Sequence, residues 1–125
     1  RILTAINGIR REEFLPAHLQ GCAYVDEDLD VGGGRFLMEP LVFAKLLDMA
    51  AITPECRVLC VGGLNGYAAA VLARLASGVT VTEIDAAMVE SARKHMQALK
   101  HTNVDVQQVK SLADGYPLSA PYDVV

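Results

Sequence analysis

The stretch Arg57-Val58-Leu59-Cys60-Val61 is an apolar run behind a single charge, and it stops at the pair Gly62-Gly63. After Leu64-Asn65 a third glycine, Gly66, leads into the alanine-rich run Tyr67-Ala68-Ala69-Ala70-Val71-Leu72. A strand, a tight turn and a helix follow one another. The glycines supply backbone angles closed to other residues, so the chain can reverse within a few positions. A unit of this kind confines the chain to folds in which strands and helices alternate.

The flanking pattern repeats the alternation. Strand Arg57–Val61 leads to a helix over Tyr67–Ala76, and strand Val79–Glu83 to a helix over Ala86–Leu99. A strand over Val104–Val109, a loop and a strand over Tyr122–Val125 follow. This order predicts an α/β fold with a doubly wound, mostly parallel sheet. In the second helix Met88, Ala92, Met96 and Leu99 fall on one face, where methionine acts as core filler. Upstream, Ile2, Ile6 and Ile9 have helical spacing. Pro40 opens a helix running to Ala51, with Phe43, Leu46, Leu47 and Ala50 as its apolar face. Between them, Cys22 to Asp30 is irregular and acidic. Gly32-Gly33-Gly34 reads as a flexible hinge or a place where backbone approaches something closely. The expected organisation is an N-terminal helical and glycine-rich segment, 1–39, and a Rossmann-like core, 40–125. The last residues, Tyr122-Asp123-Val124-Val125, stop inside a strand pattern, and there is no initiator Met. The expectation is therefore a piece of a longer protein, with C-terminal strands missing from this chain.

Composition narrows the function. The 125 residues are 52% hydrophobic and 21% charged, as in a soluble globular domain. A net charge of −4 disfavours nucleic-acid binding through a basic face. No apolar run reaches membrane-spanning length, and no signal peptide is evident. Cys22, Cys56 and Cys60 lack metal-type or thioredoxin-type spacing, which suggests reduced, buried thiols in a cytoplasmic protein. His18, His95 and His101 are scattered and read as surface or cap residues rather than metal ligands. No metal site is expected.

In a sheet of this type a ligand sits beyond the carboxyl ends of the strands, at the switch point of the strand order. Gly62, Gly63 and Gly66 would let the backbone approach it, and N–H groups at the start of the following helix would face it. Glu83 ends the next strand, 17 residues after Gly66. That is close to the ~20 expected for the acid that accepts ribose hydroxyls in a nucleotide-binding βαβ unit. Asp85, just before Ala86-Ala87, suits a helix N-cap. Either feature alone is weak. In the right order on consecutive strands they favour a ribose–adenine ligand.

Several strings in fixed order then resemble one family. They are Phe14-Leu15-Pro16, Ala23-Tyr24, Gly32-Gly33-Gly34 leading to Pro40, Arg57-Val58-Leu59, Gly66-Tyr67-Ala68-Ala69-Ala70-Val71-Leu72-Ala73, Asn103-Val104 and Ala120-Pro121-Tyr122-Asp123. From about Arg10 onward the chain resembles the protein-L-isoaspartate O-methyltransferases. The resemblance implies a Rossmann-like class I methyltransferase fold with S-adenosylmethionine as cofactor. It implies methyl transfer to the α-carboxylate of isoaspartyl residues in damaged proteins, a repair reaction. The cofactor residues it implies are Gly62, Gly63, Asn65, Gly66, Tyr67, Glu83, Ser111 and Leu112.

The chain departs from the family pattern at identifiable positions. The family loop Glu-(Ile/Val)-Gly-Thr-Gly-Ser-Gly-Tyr lines up with Cys60 to Tyr67, so Cys60 replaces the acid and Leu64 the middle glycine. A branched side chain at Leu64 would crowd the cofactor unless Gly63 shifts the turn. The family serine that holds the substrate carboxylate lines up with Met38, which cannot donate a hydrogen bond, beside the acidic Glu39. No catalytic residue is assigned. The adenine-reading Asp of Gly-Asp-Gly lines up with Ser111 in Lys110-Ser111-Leu112. The alternatives are a catalytically weak or inactive relative acting as a binding module, and a nicotinamide-dependent oxidoreductase. The latter fits worse, because Gly-x-Gly-x-x-Gly spacing fails at Leu64.

Overall fold

A computed structural model describes residues 1–125. The chain separates into two compact units, Arg1–Ala51 and Ile52–Val125.

The first unit contains α1 (Ile2–Asn7), two 3-10 turns (Arg11–Phe14 and Ala17–Cys22), an antiparallel hairpin of β1 (Leu29–Gly32) with β2 (Arg35–Leu37), and α2 (Pro40–Ala50). Its buried apolar residues include Ala5, Ile9, Phe14, Leu15, Ala23, Leu29, Leu37 and Leu47. The triple glycine sits where β1 turns back into β2. It is the hairpin turn, with φ of +96, +62 and +72° at Gly32, Gly33 and Gly34. A Cβ on any of them would meet nothing within 4 Å, so backbone angle, not space, requires glycine there. The Asp30 carboxylate accepts from Gly32 N at 2.8 Å and sets the turn.

Helix α2 begins at Pro40 as expected. Its first N–H groups are held from the acidic segment upstream: Asp28 Oδ1 accepts from Glu39 N at 2.8 Å and Asp26 Oδ1 from Leu41 N at 3.2 Å. The expected apolar face is only partly covered. Leu47 is buried, whereas Leu46 is exposed. Arg11, only 1% exposed, donates through Nε to Ala23 O and through Nη2 to Met38 O at 2.9 Å. It ties the first 3-10 turn to the segment ahead of α2.

The second unit carries β3 (Arg57–Val61), α3 (Tyr67–Ala73), β4 (Gly78–Glu83), α4 (Ala86–Ala98) and β5 (Val104–Gln108). The sheet order is β3-β4-β5, all parallel. Residues Val79 to Glu83 of β4 are all buried, the continuous pattern of a strand inside a parallel sheet. The terminal segment forms one parallel bridge, Val58 with Val124, instead of a full strand over Tyr122–Val125. Leu59 N donates to Val124 O at 2.9 Å. This segment flanks β3, whose other neighbour is β4. The strand order therefore turns around at β3, which makes its carboxyl end the switch point.

Helix α3 is shorter than the sequence predicts. It stops at Ala73 because Asn103 Nδ2 takes the carbonyls of Ala73 (2.9 Å) and Ala76 (3.3 Å), and Arg74 N and Leu75 N close three-residue turns. In α4 the buried stripe is Val89, Ala92 and Met96, with Met88 and Leu99 half-buried at its edge. Asp85 caps α4 as expected, accepting from Met88 N at 3.1 Å. No helix is long and apolar enough to cross a membrane.

Candidate functional site

The turn after β3 is held down at every position. Gly62 N and Gly63 N both donate to Thr82 O of β4, at 2.9 and 3.1 Å, and Gly66 N closes the turn on Gly63 O at 3.0 Å. Left-handed angles recur at alternate residues: φ is +73° at Gly62, +53° at Leu64 and +103° at Gly66. These are the three positions that line up with glycines in the resembling family. Leu64 thus adopts the glycine conformation despite its side chain, which costs about 1–2 kcal/mol. Burial of that side chain, 9% exposed, offsets the cost.

A Cβ on Gly63 would overlap Val81 Cγ1, so this glycine lets the turn lie against β4. Gly66 plays the corresponding part against α4: a Cβ there would stand 3.1 Å from Met96 Cε and 3.2 Å from Ala92 Cβ. Tyr67 opens α3 and is buried. Asn65 is half-buried, and its carbonyl lies 3.0 Å from His95 Nδ1.

Glu83 stands at the end of β4 as expected, but it lies under the turn rather than open at its mouth. It is fully buried. Oε1 accepts from Leu64 N at 3.0 Å; Oε2 accepts from Ile84 N at 2.7 Å and Asp85 N at 3.3 Å. N–H donors of this kind stabilise a buried carboxylate. Cys60, on β3, feels the same acid. Burial of its thiol, with a further contribution from the Glu83 carboxylate, pushes its pKa up to about 11. Cys60 is therefore a neutral thiol at physiological pH, half-buried as a residue, and Cys22 and Cys56 are also free and half-buried rather than fully buried.

Ser111 and Leu112 follow β5 and are half-buried. Ser111 precedes the 3-10 turn Leu112–Asp114 without capping it through its side chain. The structure thus gathers Gly62, Gly63, Asn65, Gly66, Tyr67 and Glu83 around the carboxyl ends of β3 and β4, with Ser111 and Leu112 after the end of β5. Met38 belongs to the other unit. Its side chain is exposed and its carbonyl is held by Arg11. The sequence reading missed His95, which touches the loop. The available signal was its position on α4, three residues after Ala92 and one before Met96.

A family model described as protein-L-isoaspartate(D-aspartate) O-methyltransferase matches residues 1–125. Protein-L-isoaspartate O-methyltransferase 1 of Rhodopseudomonas palustris is 36% identical over 124 residues, covering 99% of this chain and 50% of that protein. The protein-L-isoaspartate O-methyltransferase of Methanoregula boonei is 37% identical, covering 98% of this chain and 56% of that protein. The chain spans about half the length of these curated relatives. A solved structure of a protein-L-isoaspartate O-methyltransferase superposes with a TM-score of 0.85 at 28% identity, over 98% of this chain and 41% of that one. A putative protein-L-isoaspartate O-methyltransferase from Plasmodium falciparum, solved with S-adenosyl-L-homocysteine, shares the fold with a TM-score of 0.65 at 16% identity, over 88% of this chain and 54% of that one.

Proposed function

Since the chain belongs to the protein-L-isoaspartate(D-aspartate) O-methyltransferase family, we propose that it forms the cofactor-binding part of an S-adenosylmethionine-dependent protein carboxyl methyltransferase acting on isoaspartyl residues. Its α/β fold is the Rossmann-like fold of class I methyltransferases, and S-adenosylmethionine is the cofactor that goes with the family, one relative having been solved with S-adenosyl-L-homocysteine. When bound, the cofactor supplies a methyl group on a positively charged sulfur. The residues fit it in three respects. The turn at the switch point is left-handed where backbone must pass close to a ligand. Its conformation is fixed from β4 and α4. A carboxylate, the chemistry that accepts ribose hydroxyls, is anchored one strand away.

The observation that carries the reading is the bond between Leu64 N and Glu83 Oε1. It joins the loop to the acid that the sequence pairs with it. Gly62, Gly63, Asn65, Gly66 and Tyr67 form the wall of the cofactor site, Glu83 accepts the ribose, and Ser111 with Leu112 borders the adenine. Glu83 is fully buried, so a ribose reaches it only once its cover moves aside; Oε1 has a second lone pair, so a ribose hydroxyl bonds there with Leu64 N–H still in place. An isoaspartyl carboxylate is already ionised at neutral pH, so no base is required and catalysis rests on placement. Its partners are damaged proteins or peptides carrying isoaspartyl residues, met in the cytoplasm.

A second reading is favoured by Met38. It has no hydroxyl to offer a substrate carboxylate, and its carbonyl is already engaged by Arg11. Under that reading the protein binds the cofactor weakly or not at all and serves as a binding module. Radiolabelled methyl transfer by the full-length protein to an isoaspartyl peptide separates the two. Transfer above the no-enzyme rate supports the first, a folded protein without transfer supports the second.

A further inference from the structure

The Asn65 carbonyl is held by a side chain from outside the strand–turn–helix unit. Its neighbours are fixed otherwise: Leu64 N by Glu83, and Gly66 N by Gly63 O. The Asn65 carbonyl lies 3.0 Å from Nδ1 of His95, on the face of α4 that packs against Gly66 through Ala92 and Met96. A carbonyl oxygen only accepts, so Nδ1 of His95 must carry a proton. Backbone angle alone does not stop the peptide between Asn65 and Gly66 from flipping, because glycine tolerates φ of either sign. A flip would turn the Asn65 carbonyl away from His95 and the Gly66 N–H away from Gly63.

We propose that His95 is a positioning residue of this loop: its Nδ1–H clamps the Asn65 carbonyl, prevents the flip, and so holds the turn in the shape that receives the cofactor. The role in affinity rests on the cofactor reading above; the clamp itself does not. A side chain that presents an N–H at the same branch position serves equally. Asparagine does so through Nδ2, whereas leucine has a similar shape and no donor.

Two measurements test this on the full-length protein, one of them without cofactor. Nitrogen-15 NMR of the His95 ring at neutral pH is expected to show the proton on Nδ1. A neutral ring protonated only on Nε2 overturns the proposal. Amide hydrogen exchange at Gly66 is expected to stay slow in His95→Asn and to quicken about tenfold in His95→Leu, as for the loss of one hydrogen bond. Equal protection in both overturns it, as does equal loss in both with melting temperatures unchanged. Calorimetry with S-adenosylhomocysteine then reads the consequence. Affinity is expected to fall about tenfold in His95→Leu and to return to within about threefold of wild type in His95→Asn. A wild type that binds no S-adenosylhomocysteine contradicts the cofactor reading, and the NMR and exchange results still decide the clamp.

Discussion

The backbone N–H of Leu64 donates to Oε1 of Glu83 at 3.0 Å, across 19 residues of sequence. One bond thereby ties the conformation of the turn to the acid at the end of the next strand. It also explains how Leu64 tolerates φ +53°. The left-handed angle aims its N–H at a buried carboxylate, and charge-assisted hydrogen bonds contribute more than neutral ones.

Glu83→Gln keeps the shape and removes the charge. The amide NH2 then faces backbone donors that the carboxylate accepted, leaving at least one buried N–H unpaired. Unfolding free energy from urea titration is expected to fall by about 1–3 kcal/mol. An unchanged midpoint and slope would show that the three bonds to Glu83 do not hold the turn.

Leu64→Gly separates stability from binding. Removing the left-handed strain gains about 1–2 kcal/mol, while losing a buried leucine side chain costs about 1.5–3 kcal/mol. The glycine also adds chain entropy to the unfolded state. The net expectation is a destabilisation of about 1 kcal/mol together with tighter S-adenosylhomocysteine binding, because the branched side chain leaves the loop. Weaker binding in a folded Leu64→Gly protein would remove the argument that this side chain crowds the site.

The turn and its partner acid were legible in the sequence because both are local signals. A continuous apolar run, a glycine pair and an alanine-rich run mark strand, turn and helix, and Glu83 closes the next strand. Asp85 was readable for the same reason, as a capping residue just ahead of α4. What escaped depends on contacts far along the chain. Helix α3 ends early because of Asn103, 30 residues downstream of Ala73. The glycine triplet turned out to be a hairpin because Leu29 pairs with Leu37. His95 carried no motif, and only the packing of α4 on Gly66 brings its ring to Asn65. The exposure of Leu46 depends on tertiary packing, which helical spacing alone does not report.

The Cys60 thiol, pushed up to about 11 by burial and by Glu83, gives a pH signature. Its folded pKa lies above that of the unfolded chain, so the folded state holds the proton more tightly. The stabilisation is complete below the ordinary thiol range and is lost as pH rises from there towards about 11. Denaturant midpoints are expected to fall between pH 8.5 and 10.5 in wild type and to fall less in Cys60→Ala. At pH 8, Cys60 should also be alkylated roughly a hundredfold more slowly than an ordinary exposed cysteine, as peptide mass spectrometry would read. Rapid alkylation of Cys60 in the native protein would contradict its burial beside an ionised acid.

Met38→Ser restores a hydroxyl where the family carries one. Radiolabelled methyl transfer to an isoaspartyl peptide is expected to rise at least about tenfold, as one hydrogen bond to a charged group allows. Strong transfer already present with Met38 would show that the substrate carboxylate is held by other groups.

The central claim is that the turn Gly62 to Tyr67 and Glu83 together form an S-adenosylmethionine site. Titration calorimetry of the folded, full-length protein tests it most directly. The account predicts saturable binding of both S-adenosylmethionine and S-adenosylhomocysteine that Glu83→Ala weakens. No binding of either compound, or equal affinity in Glu83→Ala and wild type, would contradict it.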